Sequence, residues 1–324
     1  MYKNNCLQIL VALLPLASGV AMAQSAYPSK AIRVIVPFPP GGGTDIGTRV
    51  IAQKLAERFN QQVLVDNRGG AAGIIGTELA AKAPPDGYTL MMGNIGTHAI
   101  NPSLYSKLPY DPVRDFAPIT QAAGLPLFVL THPSLPVKSA RDLIALAKVQ
   151  PGNLNYSSSG AGGSMHVAAE LFQSMANVKL THVPYKGGGP AVTDLIAGQV
   201  SLSFATVLET SQHVRGGRLR ALAVTSSGRS VAFPEIATVS EAALPGYESI
   251  SWLGVFAPAG TSRDIVTRLN TEIVRILGMP DVKERLLGQG AEPIGNSAER
   301  FAVVQQADIA KYSKLMKAAG VKVE

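Results

Sequence analysis

The stretch Pro37-Phe38-Pro39-Pro40-Gly41-Gly42-Gly43-Thr44-Asp45 sets consecutive glycines between an apolar run and the start of a helical pattern. Such a junction leaves backbone N–H groups unpaired at the positive end of the helix dipole, and glycine lets a ligand approach them closely. Together these make an anion site. The pattern recurs in "LNYSSSGAGGSMH", with a helix expected from Gly163 or Ser164. It recurs again in "VPYKGGGPAVTDL", where Pro190 suits a first helical turn. Any one of these could be only a tight turn. All of them in one chain point to helix amino ends facing each other across a cleft, an arrangement suited to a carboxylate. The first two loops contain no Arg or Lys, and Lys186 is the only cation near such a turn. An anion there would be held by N–H groups, Ser/Thr hydroxyls and water. Gly42, in the middle of the first loop, is the position where a bulky side chain is expected to block approach.

Other chemistries fail on spacing. After Gly41 and Gly43 the next position of a dinucleotide fingerprint is Ile46, and no Gly-Lys pair exists for a phosphate loop. Ser157–Ser159 lacks the flanking glycines of a nucleophile elbow. The histidines (His98, His132, His166, His182, His213) show no i, i+4 pair, so no sequence-local metal site is expected. His98 and His166 lie beside candidate loops, and a structural role is the better-supported reading for both. Asp45 falls in a first helical turn with Arg49 one turn on, which favours an intrahelical pair over a ligand contact.

The elements that must position these loops alternate. "AIRVIVPF", "QVLVDN" and "YTLMMGN" read as strands, while "TDIGTRVIAQKLAERFN", capped by Thr44, and "AGIIGTELAAKA" read as helices. The rhythm continues through "LPLFVLTHP", "SARDLIALAKVQ", "LSFAT", "LRALAVTS" and "YESISWLGVFAP". It closes with two helices, the first with Thr261 and Asp264 at capping-box spacing. Alternation predicts a parallel sheet covered on both faces. No low-complexity linker divides the chain, so two lobes joined by extended crossovers are expected, at "AAGLPLF" and "PGYESIS".

The amino terminus reads as an export leader. Lys3 precedes the apolar run Ile9 to Ala23, which ends in Ala21-Met22-Ala23, a signal-peptidase pattern. The run is shorter than the ~20 residues that span a bilayer. Cleavage after Ala23 would leave 324 − 23 = 301 residues, remove Cys6 and lower the formal charge from +7 to +6 by loss of Lys3. A mature chain without cysteine cannot be disulfide-stapled and must rest on its core. The basic residues are scattered and aromatics make up 6% of the chain, which argues against nucleic acid.

Long motifs in order carry a more specific resemblance: "YPSKAIRVIVPFPPGGGTDIGTRVIAQKL", "VDNRGGAAGIIGTELAAKAPPDGYTL", "GTHAINPSLYSKLPYDPVRDFAPIT", "LNYSSSGAGGSMHVAAELF" and "VPYKGGGPAVTDLIAGQV". From about Tyr27 to the C-terminus the chain resembles the extracytoplasmic solute receptors of tripartite tricarboxylate transporters, the Bug receptors. The resemblance implies an α/β, two-lobe periplasmic binding protein of type II-like form, with two crossovers and a ligand cleft between the lobes. The lobes would be residues 24–124 with 247–324, and residues 125–246, after a leader of 1–23. Carried over by position, the first ligand loop is Phe38, Pro40, Gly41, Gly42, Gly43, Thr44 and Asp45. The facing loop runs from Ser157 to Ser164, with Ser157, Ser158, Gly160, Gly162, Ser164 and then His166. Asn94, Thr97 and Asn101 would line the same cleft, as would Tyr185, Lys186, Ala205 and Thr206. The resemblance further implies a monomer without cofactor, capture of a di- or tricarboxylate, acidic amino acid or aromatic carboxylate, and delivery to the membrane subunits of a transporter. An exported enzyme acting on a carboxylate and a receptor for a signalling partner are the alternatives.

Overall fold

The computed structural model describes residues 27–318, so the expected leader and its cleavage site lie outside the described residues. Among them no helix is long and apolar enough to cross a membrane.

The first half begins β1 (Ile32–Val36), α1 (Gly43–Phe59) and β2 (Val63–Asn67). It continues with α2 (Ile74–Ala81), β3 (Thr89–Asn94) and α3 (Asn101–Leu104). The long strand β4 (Phe116–Thr131) leads into α4 (Ala140–Val149), β5 (Asn155–Ser158), α5 (Ser164–Ala176) and β6 (Thr181–Pro184). Then come α6 (Gly188–Ile196), β7 (Leu202–Thr206), α7 (Val207–Arg215), β8 (Arg220–Val224) and α8 (Val239–Ala242). The chain returns through β9 (Ile250–Pro258), α9 (Arg263–Leu277), α10 (Pro280–Gly288), β10 (Glu292–Pro293) and α11 (Ala298–Ala318).

The strands join in the order β2-β1-β3-β9-β4-β7-β5-β6, with β8 and β10 also on β4. β1 is parallel to β2 and β3, and β5 to β6 and β7, as alternation predicts. The sheet is nevertheless mixed: β9 runs antiparallel to β3 and β4, and β4 antiparallel to β7 and β8. These strands are the exception because they carry the chain between halves instead of through a local β-α-β crossover. β4 pairs with β9 up to Pro126 and with β7 from Leu127, so it changes partner inside "AAGLPLF". On the return, Tyr247 is buried in the second half's core, and Ile250 already pairs with Pro126.

Separate apolar cores follow. Leu127–Leu130, Tyr156, Phe172, Phe204 and Tyr247 build one. Val34, Ile51, Leu55, Leu253 and the α9 stripe Leu269, Ile273 and Ile276 build another, at helical spacing. A third packs α11 on the opposite face through Phe301, whose ring lies 5.0 Å from Phe256 and 5.2 Å from Trp252. Aromatic pairs of this kind add about 0.5–1.5 kcal/mol each beyond area burial. Some expected caps are displaced. Gly42, with no side chain to donate or accept, occupies the N-cap of α1 in place of Thr44, and Ser262 caps α9 by accepting from the Ile265 N–H at 3.4 Å. The Thr261 hydroxyl donates instead to the Pro258 carbonyl.

Candidate functional site

Where β4 changes partner, the carboxyl ends of β1, β3 and β7 and the loop after β5 converge on a cavity of about 30 Å³. That is room for a water or two. Phe38, Gly42, Gly43, Thr44 and Asn94 line it from the first half, and Ser159, Ser164, Met165, Gly188, Thr206 and Glu209 from the second. Leu125 and Ser251, on the paired strands between halves, complete the wall. Glu209 also lines a wider groove of about 500 Å³ alongside, with Pro40, Gly41, Tyr185, Asp194 and His213.

The glycine-rich turns meet here. A β-carbon on Gly189 would lie 3.1 Å from the Pro40 carbonyl, so the turns before α1 and α6 touch backbone to backbone. A β-carbon on Gly43 would sit 2.6 Å from the Thr206 hydroxyl, while one on Gly42 would make only ordinary contact, 3.6 Å from Glu209. Gly42 has φ −81°, which any residue adopts. The crowded glycine is therefore Gly43 and not Gly42, because a β-carbon on Gly43 would run into the Thr206 hydroxyl whereas one on Gly42 would meet its neighbours only at ordinary contact distance.

Two amides at the start of α1 already have acceptors, whereas those of Thr44 and Asp45, which also precede the first intrahelical bond from Ile46 N–H to the Gly42 carbonyl, have none among the described residues. Gly41 N–H donates to Asp45 at 3.0 Å, and Gly43 N–H to Glu209 Oε2 at 2.9 Å. Glu209 Oε1 accepts from the Thr206 N–H at 3.0 Å, completing a reciprocal capping box at α7. Burial pushes the Glu209 carboxyl above its ordinary range, and the Gly43 and Thr206 amides pull it part of the way back. Asp45 is buried and also accepts from Arg49 at 3.0 Å and Asn67 at 3.0 Å. Burial raises its pKa, but these donors outweigh it and hold the carboxyl below the usual carboxylate value. Opposite, the first intrahelical bond of α5 runs from Val167 N–H to the Gly163 carbonyl, so the amides of Ser164, Met165 and His166 precede it beside the cavity.

The remaining expected residues stand behind the wall and shape it. Thr97 and Asn94 exchange hydrogen bonds at 3.1 Å, and the Asn94 amide donates to the Thr44 hydroxyl at 3.3 Å. Asn101 donates to the Ala72 carbonyl and to Tyr110. Gly160 (φ 121°) and Gly162 (φ 84°) take left-handed turns that glycine tolerates. The Ser157 hydroxyl donates to the Ala191 carbonyl, and Ser158 pairs with His182 at 2.6 Å. His166 accepts from the Gly162 N–H at 3.1 Å and stacks on His182, with ring centroids 4.2 Å apart. Burial lowers both histidines to about 4, so they are neutral supports at neutral pH. His98 is fully buried against Phe256 and lowered by burial to about 3. Ala205 is buried in β7, and Tyr185 donates to Asp194 at 2.7 Å. Lys186 is exposed and lines neither cavity nor groove, because its turn directs the chain's glycines inward.

Sequence reasoning did not single out Glu209, Leu125, Met165, Gly188 or Ser251. For Glu209 a signal existed: Thr206-x-x-Glu209 is a capping-box spacing directly after a strand. Among the described residues no group of three His, Cys, Asp or Glu could hold a metal ion.

Residues 48–321 match the family described as "Tripartite tricarboxylate transporter family receptor". The chain is 36% identical to protein BugT of Bordetella pertussis over 310 residues, 95% of each chain. Its structure is similar to that of Rpa4515 from R. palustris with adipate, at TM-score 0.90 and 39% identity, over 91% of this chain and 99% of that one. It is also similar to MatC from Rhodopseudomonas palustris with bound malate, at TM-score 0.85 and 32% identity, over 89% and 99% of the two chains.

Proposed function

Since the chain belongs to the tripartite tricarboxylate transporter receptor family, we propose that it captures a small carboxylated solute in the cavity between its halves and passes it to the membrane subunits of such a transporter. The observation that carries this reading is the meeting of residues from both halves around one cavity, with the amino end of α5 on one side and Gly43 and Thr206 in contact on the other. A cavity of about 30 Å³ is too small for a dicarboxylate, so the halves part to admit the solute and close again upon it. Lobes of residues 24–124 with 247–324, and 125–246, hinge at the segments where β4 and β9 change cores. Phe38 to Thr44, Asn94, the Ser157–Ser164 loop and Thr206 hold the solute. The adipate and malate bound by the similar proteins place small dicarboxylates first among the solutes to try. The protein works as a monomer in the periplasm after cleavage at Ala23, needs no cofactor and leaves its solute chemically unchanged.

Calorimetry, thermal melting and X-ray scattering on the mature chain test this with adipate and malate. Saturable binding, a raised Tm and a smaller radius of gyration are expected, since a ligand selective for the folded state stabilises it by RT ln(1 + [L]/Kd). Saturation without compaction overturns the hinge. Conversion of the solute in proportion to protein concentration overturns the receptor reading in favour of an enzyme.

A further inference from the structure

Two helices of the second half start at the cavity, and each sends one apolar side chain away from it into a core of the first half. Alternation along β1 and β9 separates those cores. Val34, Val36, Val255 and Ala257 point to one face of the sheet, Ile35 and Phe256 to the other. Leu208, in the first turn of α7, is 4% exposed and belongs to the core on the first face. Beside Leu125 on β4, it is that core's one buried member from residues 125–246 among the described residues. Val167, one turn into α5, is 1% exposed and holds the same position in the core on the opposite face. Val207, next to Leu208, belongs instead to the second half's own core, so α7 begins astride the seam.

The first half is shaped to receive Leu208. A β-carbon on Gly47 of α1 would stand 2.3 Å from Leu253 Cδ1 and 3.7 Å from Leu208 Cδ2. Glycine weakens a helix interior relative to alanine, so its place here answers to the close approach of β9 and α7. Neither Leu208 nor Val167 lines the cavity, yet each lies within a few residues of side chains that do: Thr206 and Glu209 on α7, Ser164 and Met165 on α5. Hydrogen bonds cross the seam as well. Gly43 N–H donates to Glu209, Tyr105 Oη to the Ala161 carbonyl at 3.1 Å, and Arg215 to the Gly288 carbonyl at 2.8 Å. Each is exchanged for a bond to water when the halves part, so its net effect on closure is small. Buried apolar surface has no such replacement.

We propose that Leu208 and Val167 are positioning residues that set how far the halves close without solute, and through that equilibrium the affinity for a solute neither of them touches. They act as apolar keys on opposite faces of the sheet, withdrawn from the first half's cores when the cleft opens. This inference rests on the reading of two halves that part to admit a solute, and it names what draws them together again.

X-ray scattering and calorimetry on the mature protein, alone and with adipate or malate, test it in Leu208→Ala and Val167→Ala, each checked for folding by circular dichroism. Without solute, each variant should have a larger radius of gyration than the parent. With saturating solute, all should share the parent's bound value. Affinity should fall about tenfold, because a receptor whose binding form is only a fraction f of the population binds with an apparent Kd of Kd/f. Leu208→Met, which keeps the side-chain volume, should restore both readouts. Leu208→Val, a smaller truncation, serves if the alanine variant fails to fold. A folded variant whose solute-free radius equals the parent's overturns the proposal for that residue. So does a Leu208→Met protein as expanded as Leu208→Ala, since filling the seat would then not matter. The solute-free comparison needs no binding. Failure of both adipate and malate to bind the parent therefore counts against the receptor reading, while the radii still decide the role of the two side chains.

Discussion

Glu209 Oε2 accepts a hydrogen bond from Gly43 N–H at 2.9 Å, across 166 residues and between the two halves of the molecule. The amino end of α1 has the geometry of an anion site, and the anion that accepts from Gly43 there is the protein's own carboxylate. A solute entering the proposed cleft would either replace this contact or build on it.

Gly43 is where added bulk is least tolerated. Gly43→Ala would drive a methyl into the Thr206 hydroxyl, which a β-branched, capping side chain cannot easily withdraw. Scattering should show a larger radius of gyration with saturating solute, and affinity should fall about tenfold, equivalent to 1.4 kcal/mol. Gly42→Ala should change affinity by no more than about 0.5 kcal/mol, because its φ is ordinary and its surroundings have room. Equal effects in the two variants would show that the turn and not the Thr206 contact is at issue.

Asp45 is expected to matter for folding more than for binding. Asp45→Asn leaves Arg49 without its buried partner and weakens the bond from Gly41 N–H. Urea unfolding should show a loss of about 1–3 kcal/mol. Because the carboxyl is held below its unfolded value, its stabilisation is present above the unfolded pKa and disappears as pH falls through the lowered one. Solute affinity of the folded variant should stay within about twofold of the parent, as expected for a change away from the contact surface. A large affinity loss with unchanged stability would assign Asp45 to the solute instead.

Acid should loosen the wall behind Ser158 and Ser164. The folded-state pKa of His166 is depressed from 6.5 to about 4 by burial. Its neutral form thus stabilises the fold fully above pH 6.5, and that stability is lost as pH falls toward 4. At 1.36 kcal/mol per pKa unit this is roughly 3 kcal/mol. His182, stacked on it but less enclosed, adds a smaller amount in the same window. Unfolding free energies measured between these limits should fall more steeply in the parent than in the His166→Gln, His182→Gln double variant. Parallel slopes would show that other groups govern acid sensitivity.

Ser164 offers a hydroxyl to the cavity from the first turn of α5. Ser164→Ala should cost about 0.5–1.5 kcal/mol of binding free energy with little change in Tm of the empty protein. Calorimetry on the folded variant decides between this and a hydroxyl that serves only the loop.

Much of the architecture was legible because it is local. Val34 and Ile35, the α1 pattern from Val50 to Phe59, and the glycines before α5 and α6 each report on neighbours a few positions away, where strand and helix periodicity act. Long ordered motifs likewise carried the family. Strand direction at β4 and β9 was not legible, since the same apolar run suits either pairing and the partner lies over a hundred residues off. The N-cap of α1 was misplaced by two residues because Thr44 has the better capping side chain, yet the backbone turns at Gly42.

The sequence by itself determined that glycine-rich helix starts would expose backbone amides, and that no cation would accompany the first two of them. Only the tertiary structure decided which amides remain for a solute. Asp45 and Glu209 claim the Gly41 and Gly43 amides, Lys186 turns to solvent, and the Thr44 and Asp45 amides of α1 and the first amides of α5 are left at the cavity. The physical reason is range. A helix's unpaired N–H groups follow from its own residues, but the carboxylate that satisfies them arrives from a distant strand–helix junction, and its position depends on how two separate cores close against each other.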